Sequence, residues 1–190
     1  MSIVMYLGRD VKEYKEKSEK VIKQALSEGK IQCELCLKQM RYHSSYIRSI
    51  KETGQKLKII IVWCSKCEKW HSLYPDFLLV YKHYGGNEIE SVIIDSETLA
   101  VEEIDTDASY ATVKRWIKQI GERIKQAVSK LKYLFGRTGR VISETVINAG
   151  FCYSELEQVL EMAPNAIEYS GNKLGLANIW LGTDKVAVYI

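Results

Sequence analysis

The chain lacks any run of about 18 consecutive apolar residues, so its sequence offers no helix that could span a bilayer. Its opening, Met1 to Leu7, is too short and too soon followed by charge for a secretory signal, which leads us to expect a cytoplasmic protein with no membrane partner. Cysteine is scarce, with five in 190 residues. Four of the five stand in two closely spaced pairs, leaving Cys152 alone in an apolar neighbourhood, where a thiol is ordinarily an inert packing residue. Between Glu88 and Asp107 there is no Lys or Arg at all, against eight acids. Basic residues concentrate instead on either side of that block. Lys30 to Lys69 holds nine Lys or Arg against three acids, and Lys114 to Arg140 holds nine against Glu122 alone. Segregation of this kind hidden under a net charge of +3 suits nucleic-acid phosphates, or else describes solvated faces that neutralise one another.

Hydrophobic residues make up 46% of the sequence, enough for one domain or two small ones. The organising stretch is Cys33-Glu-Leu-Cys36, answered by Cys64-Ser-Lys-Cys67 after 27 intervening residues. Two residues between cysteines let both thiolates reach one ion at about 2.3 Å, and two such hooks close a tetrahedral site. We read Cys33, Cys36, Cys64 and Cys67 as ligands of a structural zinc, with an iron site of the same geometry or disulfides as the alternatives. Neither hook is followed by Gly, since Leu37 and Glu68 stand there. His43 and His71 lie close to the hooks, but four thiolates already satisfy the ion, so packing or support of the ligands is the expected role.

Local patterns organise the rest. Asp10 to Ser27 has Val11, Tyr14, Val21, Ile22, Ala25 and Leu26 near a 3.6-residue period, which predicts a helix stopped at Gly29. Arg41 to Arg48 and Lys56 to Trp63 are strand-forming runs flanking Gly54, the hairpin that a zinc ribbon requires. Beyond Gly85-Gly86, Asn87 is expected to cap a helix through Ile94 and Ser96 another through Ile104, the latter on Leu99, Val101 and Ile104. A third begins near Ser109. Short helix, polar turn and basic helix follow helix-turn-helix logic. The third helix carries one stripe of Val113, Trp116, Ile117, Ile120, Ile124, Ala127, Val128, Leu131, Leu134 and Phe135, with Gly121 as a point where it would kink or divide. Val141 to Asn148 reads as helical, Ser154 as the start of a capped helix, and Leu176 to Ile190 as apolar but ambiguous between strand and helix.

Ser109, Tyr110 and Thr112 stand where a recognition helix presents its first turn. Lys114, Arg115 and Lys118 stand where it meets base edges or phosphates. Arg41, Arg48, Lys56, Lys58, Lys66 and Lys69, interleaved with Tyr42, Tyr46 and Trp70, are candidates to track a phosphate backbone. An enzymatic reading has little to stand on: Asp95, Glu97, Glu102, Glu103, Asp105 and Asp107 crowd one segment, and a Cys₄ ion has no open position.

The hooks, His43-Ser-Ser-Tyr46-Ile-Arg48, His71-x-Leu73-x-Pro75-x-Phe77 with Tyr81-Lys82-x-Tyr84, and Thr112-Val-Lys-Arg115-Trp116 together resemble a family. It comprises small, uncharacterised bacterial proteins with a zinc ribbon and helix-turn-helix, similar to the N-terminal DNA-binding part of insertion-sequence transposases. The resemblance covers most of the chain up to about Trp116 and more loosely the rest, with Ser44 where the family commonly has Gly, and it implies DNA binding in a mobile-element context.

The expected fold is α+β: an N-terminal helix and Cys₄ zinc ribbon over 1–84, a helix-turn-helix region over 85–140, and a small C-terminal cap over 141–190. The expected function is zinc-dependent binding of double-stranded DNA, without catalysis, as a transposase-derived regulator or accessory factor. The rival is an interaction adaptor that docks a larger transposase or a second copy of itself. A truncated enzyme fragment is a third possibility.

Overall fold

Asp10 starts the first helix, α1 (Val11–Ser27), by accepting a hydrogen bond from the Glu13 amide at 2.9 Å, which satisfies one of the free N–H groups of the first turn. The helix ends where the sequence indicated, with Gly29 in the left-handed region at φ 70°. Tyr14, Ser18, Ile22 and Ala25 form its buried stripe. The Tyr14 hydroxyl donates to the Lys58 carbonyl at 2.7 Å and its ring meets Phe77 edge-on at 5.9 Å, tying α1 to a sheet below it.

These features come from a computed structural model that describes residues 2–80, 82–137, 152–162 and 169–182, apart from the side chains of 152 and 180–182. The chain is mixed α and β, as its sequence pattern led us to expect. It divides into one unit of residues 1–86 with 167–190 and another of 87–166. The helix expected over 141–148 lies outside the described residues.

The first unit is built on a four-stranded sheet of order β1-β4-β3-β2. The expected hairpin is present as β2 (Arg41–Ser49) and β3 (Lys56–Cys64), antiparallel, with a bulge at His43 between Tyr42 and Ser44 and Gly54 at φ 64° in the turn. Two strands were not anticipated. β4 (Lys69–Pro75) returns beside β3 across the second hook, and β1 (Ser2–Met5) adds to β4 in parallel. A four-residue strand gives too little alternation to be seen locally, and β4 carries a proline, which is tolerated here because Pro75 is its last residue.

α5 (Lys173–Gly182) lies along β1. Gly175 permits this approach: a β-carbon there would sit 2.2 Å from the Asp76 carbonyl oxygen. Asp76 itself is fully buried and accepts from the Ser170 amide at 2.6 Å. Burial pushes its carboxyl up to about 6, against the opposing effect of Ser170. A carboxyl raised in the fold binds its proton more tightly there than in the unfolded chain. Its burial therefore costs nothing well below pH 3.8, costs progressively more as pH rises from about 4 to about 6, and levels off at about 3 kcal/mol above that. We expect the urea midpoint of Asp76→Asn to lose that component of the parent's pH dependence between about pH 4 and 6. Parallel midpoint curves for the two proteins would show that Asp76 titrates normally.

In the second unit, α2 (Gly86–Asp95) is followed by a single 3₁₀ turn, Val101–Glu103, and then by α3 (Tyr110–Arg137). The helix expected from Ser96 through Ile104 is thus only that turn. Its apolar pattern finds no common surface, since Leu99 is 43% exposed and only Ile104 is buried, while the Glu103 carboxylate folds back on the Ala100 amide. The link between α2 and α3 is accordingly much longer than the tight turn of a helix-turn-helix. α3 runs unbroken through Gly121, where a β-carbon would meet open space, and buries Val113, Trp116, Ile120, Ile124, Ala127, Val128, Leu131 and Phe135. α4 (Cys152–Glu161) packs on α3, with Lys132 paired to Glu155. It begins two residues before Ser154. Its first-turn donors, the Tyr153 amide and the Ser154 hydroxyl, reach Glu97 at 2.6 and 3.0 Å, so an acid distant in sequence caps it. Among the described residues no helix is long and apolar enough to cross a membrane.

Candidate metal centre

Each hook is held by its own turn of backbone. In the first, the Cys33 amide donates to Lys38 O at 2.9 Å, the Leu37 amide to Cys33 O at 2.8 Å, and the Met40 amide to Ile31 O at 3.0 Å. The second hook is the turn of the β3–β4 hairpin, since Cys64 pairs with Lys69 at the end of the ladder. In both, the residue after the second cysteine lies in the left-handed region, Leu37 at φ 58° and Glu68 at φ 53°. Glycine adopts this conformation freely, whereas a side chain there costs on the order of 1 kcal/mol. The two positions that lack a glycine are therefore strained, and the strain persists because the sulfurs converge.

They converge closely. The four Sγ atoms of Cys33, Cys36, Cys64 and Cys67 all lie within 4.8 Å of one another, with Cys36 and Cys64 at 3.5 Å. A tetrahedral ion with bonds of about 2.3 Å would space four sulfurs about 3.8 Å apart, so the cage has the right size and donor set for a metal ion. Without a cation the thiols compete for charge. Hydrogen bonding to Cys36, together with burial, pushes Cys67 up to about 12. Burial raises Cys33. For Cys64 burial is outweighed by the amides of Cys67 and Lys66 and by the Cys36 thiol, bringing it down to about 7. A bound cation resolves that competition by stabilising all four thiolates together.

Residues 33–116 match the family model described as a domain of unknown function (DUF6431). The match begins at the first sulfur ligand and ends at the buried Trp116, covering both hooks, β2 to β4 and the start of α3, less than half of the chain. Its description assigns no function and makes no link to transposases. Neither the curated proteins nor the solved structures contain a match to the chain.

The two histidines take different places. His71 is fully buried beneath the cage, with Nε2 3.8 Å from Cys33 Sγ, and burial holds the imidazole below its ordinary value. A neutral ring in that position can donate its Nε2 proton toward the sulfur. His43 is exposed at the bulge, with Nδ1 2.8 Å from the Ser44 hydroxyl.

The candidate nucleic-acid residues differ in how far the fold claims them. Arg48 is taken up by the fold: it is 9% exposed, stacks over Tyr74 at 5.0 Å and donates through Nη2 to the Leu79 carbonyl at 3.1 Å, so it is withdrawn from phosphate contact. Tyr46 shares a 2.6 Å hydrogen bond with Tyr74, and Lys58 pairs with Glu19 at 3.4 Å. Arg41, Lys56, Lys66 and Lys69 are exposed. On α3, the Ser109 and Thr112 hydroxyls bond one another at 2.9 Å, Lys114 lies over the Tyr110 ring at 4.6 Å, and Arg115 and Lys118 are exposed.

One feature escaped the sequence reading. Trp63 and Trp70 face each other across the second hook with ring centroids 5.2 Å apart, and His43 joins them at 6.5 and 6.0 Å. The available signal was their placement, one residue outside each end of the hairpin that the hook closes.

Proposed function

We propose that the protein binds double-stranded DNA through the solvent face of α3, and that zinc in the Cys₄ cage holds the sheet unit in its fold. The observation that carries this reading is the distribution of charge on α3. Lys114, Lys118 and Lys125 are exposed at spacings of four and seven residues, which puts them in one line along the helix, with exposed Arg115 beside it. From Lys114 to Arg137 the sole acid is Glu122. The opposite face is committed to the core, so the cations are held outward by packing. The helix spans roughly 42 Å, more than a turn of duplex. In this reading the chain catalyses no reaction, because four thiolates leave the ion no open position. The sequence resemblance adds a role as a transposase-derived regulator or accessory factor of a mobile element.

The test is duplex affinity of Arg115→Ala and Lys118→Ala across a salt series, with metal content and folding checked in parallel. Arg115→Ala should relax preference at one base position at a cost of about 1 to 3 kcal/mol, and Lys118→Ala should lower the salt slope by about one unit. If both variants bind every duplex as the parent does, this face of α3 is not the reader. A salt-insensitive interaction with a protein would then put the adaptor in its place.

A further inference from the structure

We propose that the outer face of the sheet beside the hooks binds single-stranded nucleic acid, by stacking unpaired bases on Trp70 and Trp63. It uses none of the α3 residues on which the proposed duplex binding rests and stands or falls separately.

The face is aromatic where a sheet exposed only to water would be polar. Trp63 and Trp70 are register partners and so point to the same side. His43 extends the cluster onto β2, and by alternation Tyr46, opposite Ile59, lies on the same side farther along. Trp70 remains 57% exposed and Tyr46 37% exposed, although both stand on ordered strands. A tryptophan more than half exposed forgoes much of the stabilisation its burial would bring.

Charge indicates what the face takes. β2, β3 and β4 contain no Asp or Glu. Arg41 lies opposite Trp63 in the register, Lys69 adjoins Trp70, and Lys66 projects from the hook, all three exposed. Glu68 is the one acid within the hook itself. Aromatic rings bordered by cations match a ligand that presents flat rings and phosphates together. The rings of a duplex are stacked on one another and expose only their edges and backbone, so the match is to bases that are already unpaired. The construction also explains the position of the hook. Because it is the turn that joins β3 to β4, the same sulfurs that hold a metal hold the two indoles in register.

The experiment uses the full metal-loaded chain and a labelled oligothymidylate of about 15 nucleotides at low salt. The parent should bind it and Trp70→Ala should bind roughly 5- to 150-fold more weakly, with Trp70→Phe retaining most of the affinity. Trp70 is largely exposed, so the substitution should leave metal content and circular dichroism unchanged. Arg115→Ala and Lys118→Ala should bind the oligonucleotide as the parent does, which separates this site from the duplex reading. The proposal is overturned if the parent does not bind the oligonucleotide, or if Trp70→Ala binds it unimpaired. It is equally overturned if Trp70→Ala abolishes a parent dimer without altering oligonucleotide affinity, for the face is then an interface between copies.

Discussion

Cys64→Ser should release the metal and unfold the hook end of the sheet unit. Cys64 is fully buried at the end of β3, and its sulfur is 3.5 Å from that of Cys36, so the substitution removes one of the four convergent thiolates. Structural Cys₄ zinc sites bind with apparent free energies of about 10 to 16 kcal/mol at neutral pH, comparable to or larger than the total stability of a small domain. That energy is coupled to folding here because the two hooks are far apart in sequence and strained at Leu37 and Glu68. With the ion absent, the crowded thiols no longer share a counter-charge and the left-handed turns lose their compensation. The measurement is elemental analysis of the purified chain, which should give one zinc per molecule, together with thermal unfolding of the parent and Cys64→Ser with and without chelator. A chain without metal, or a Cys64→Ser variant that stays fully folded in chelator, would refute the cage.

The second large effect belongs to the other unit. Trp116→Ala should destabilise the packing of α3 in this unit by on the order of 3 to 5 kcal/mol, since Trp116 is 1% exposed and sits midway along the stripe from Val113 to Ile120. For a unit of this size that corresponds to a fall in Tm of more than about 10 °C. Lys118→Ala, two residues away on the solvent side, should stay within about 0.5 kcal/mol of the parent. Equal melting temperatures for Trp116→Ala and the parent would mean that the buried face of α3 has been assigned wrongly.

What the sequence determined by itself was whatever rests on short-range spacing. Two residues between cysteines specify a hook, a 3.6-residue stripe specifies which side of α3 is buried, and Gly54 between two strand-forming runs specifies a hairpin. Each depends on neighbours within a turn or two, so each was legible before any fold was known. The tertiary structure alone decided the rest. β1 gains strand identity only by pairing with β4, some seventy residues away, and α5 finds its place beside β1 through the close approach at Gly175. Arg48 looks like a surface cation in sequence, yet Tyr74 and the Leu79 carbonyl claim it. The segment 96–104 looks helical, but the fold leaves Leu99 43% exposed and buries only Ile104 of its apolar set. Trp63 and Trp70 become a pair only because β4 folds back on β3. In each case the deciding energy is a contact between residues distant along the chain, which no local period or propensity records.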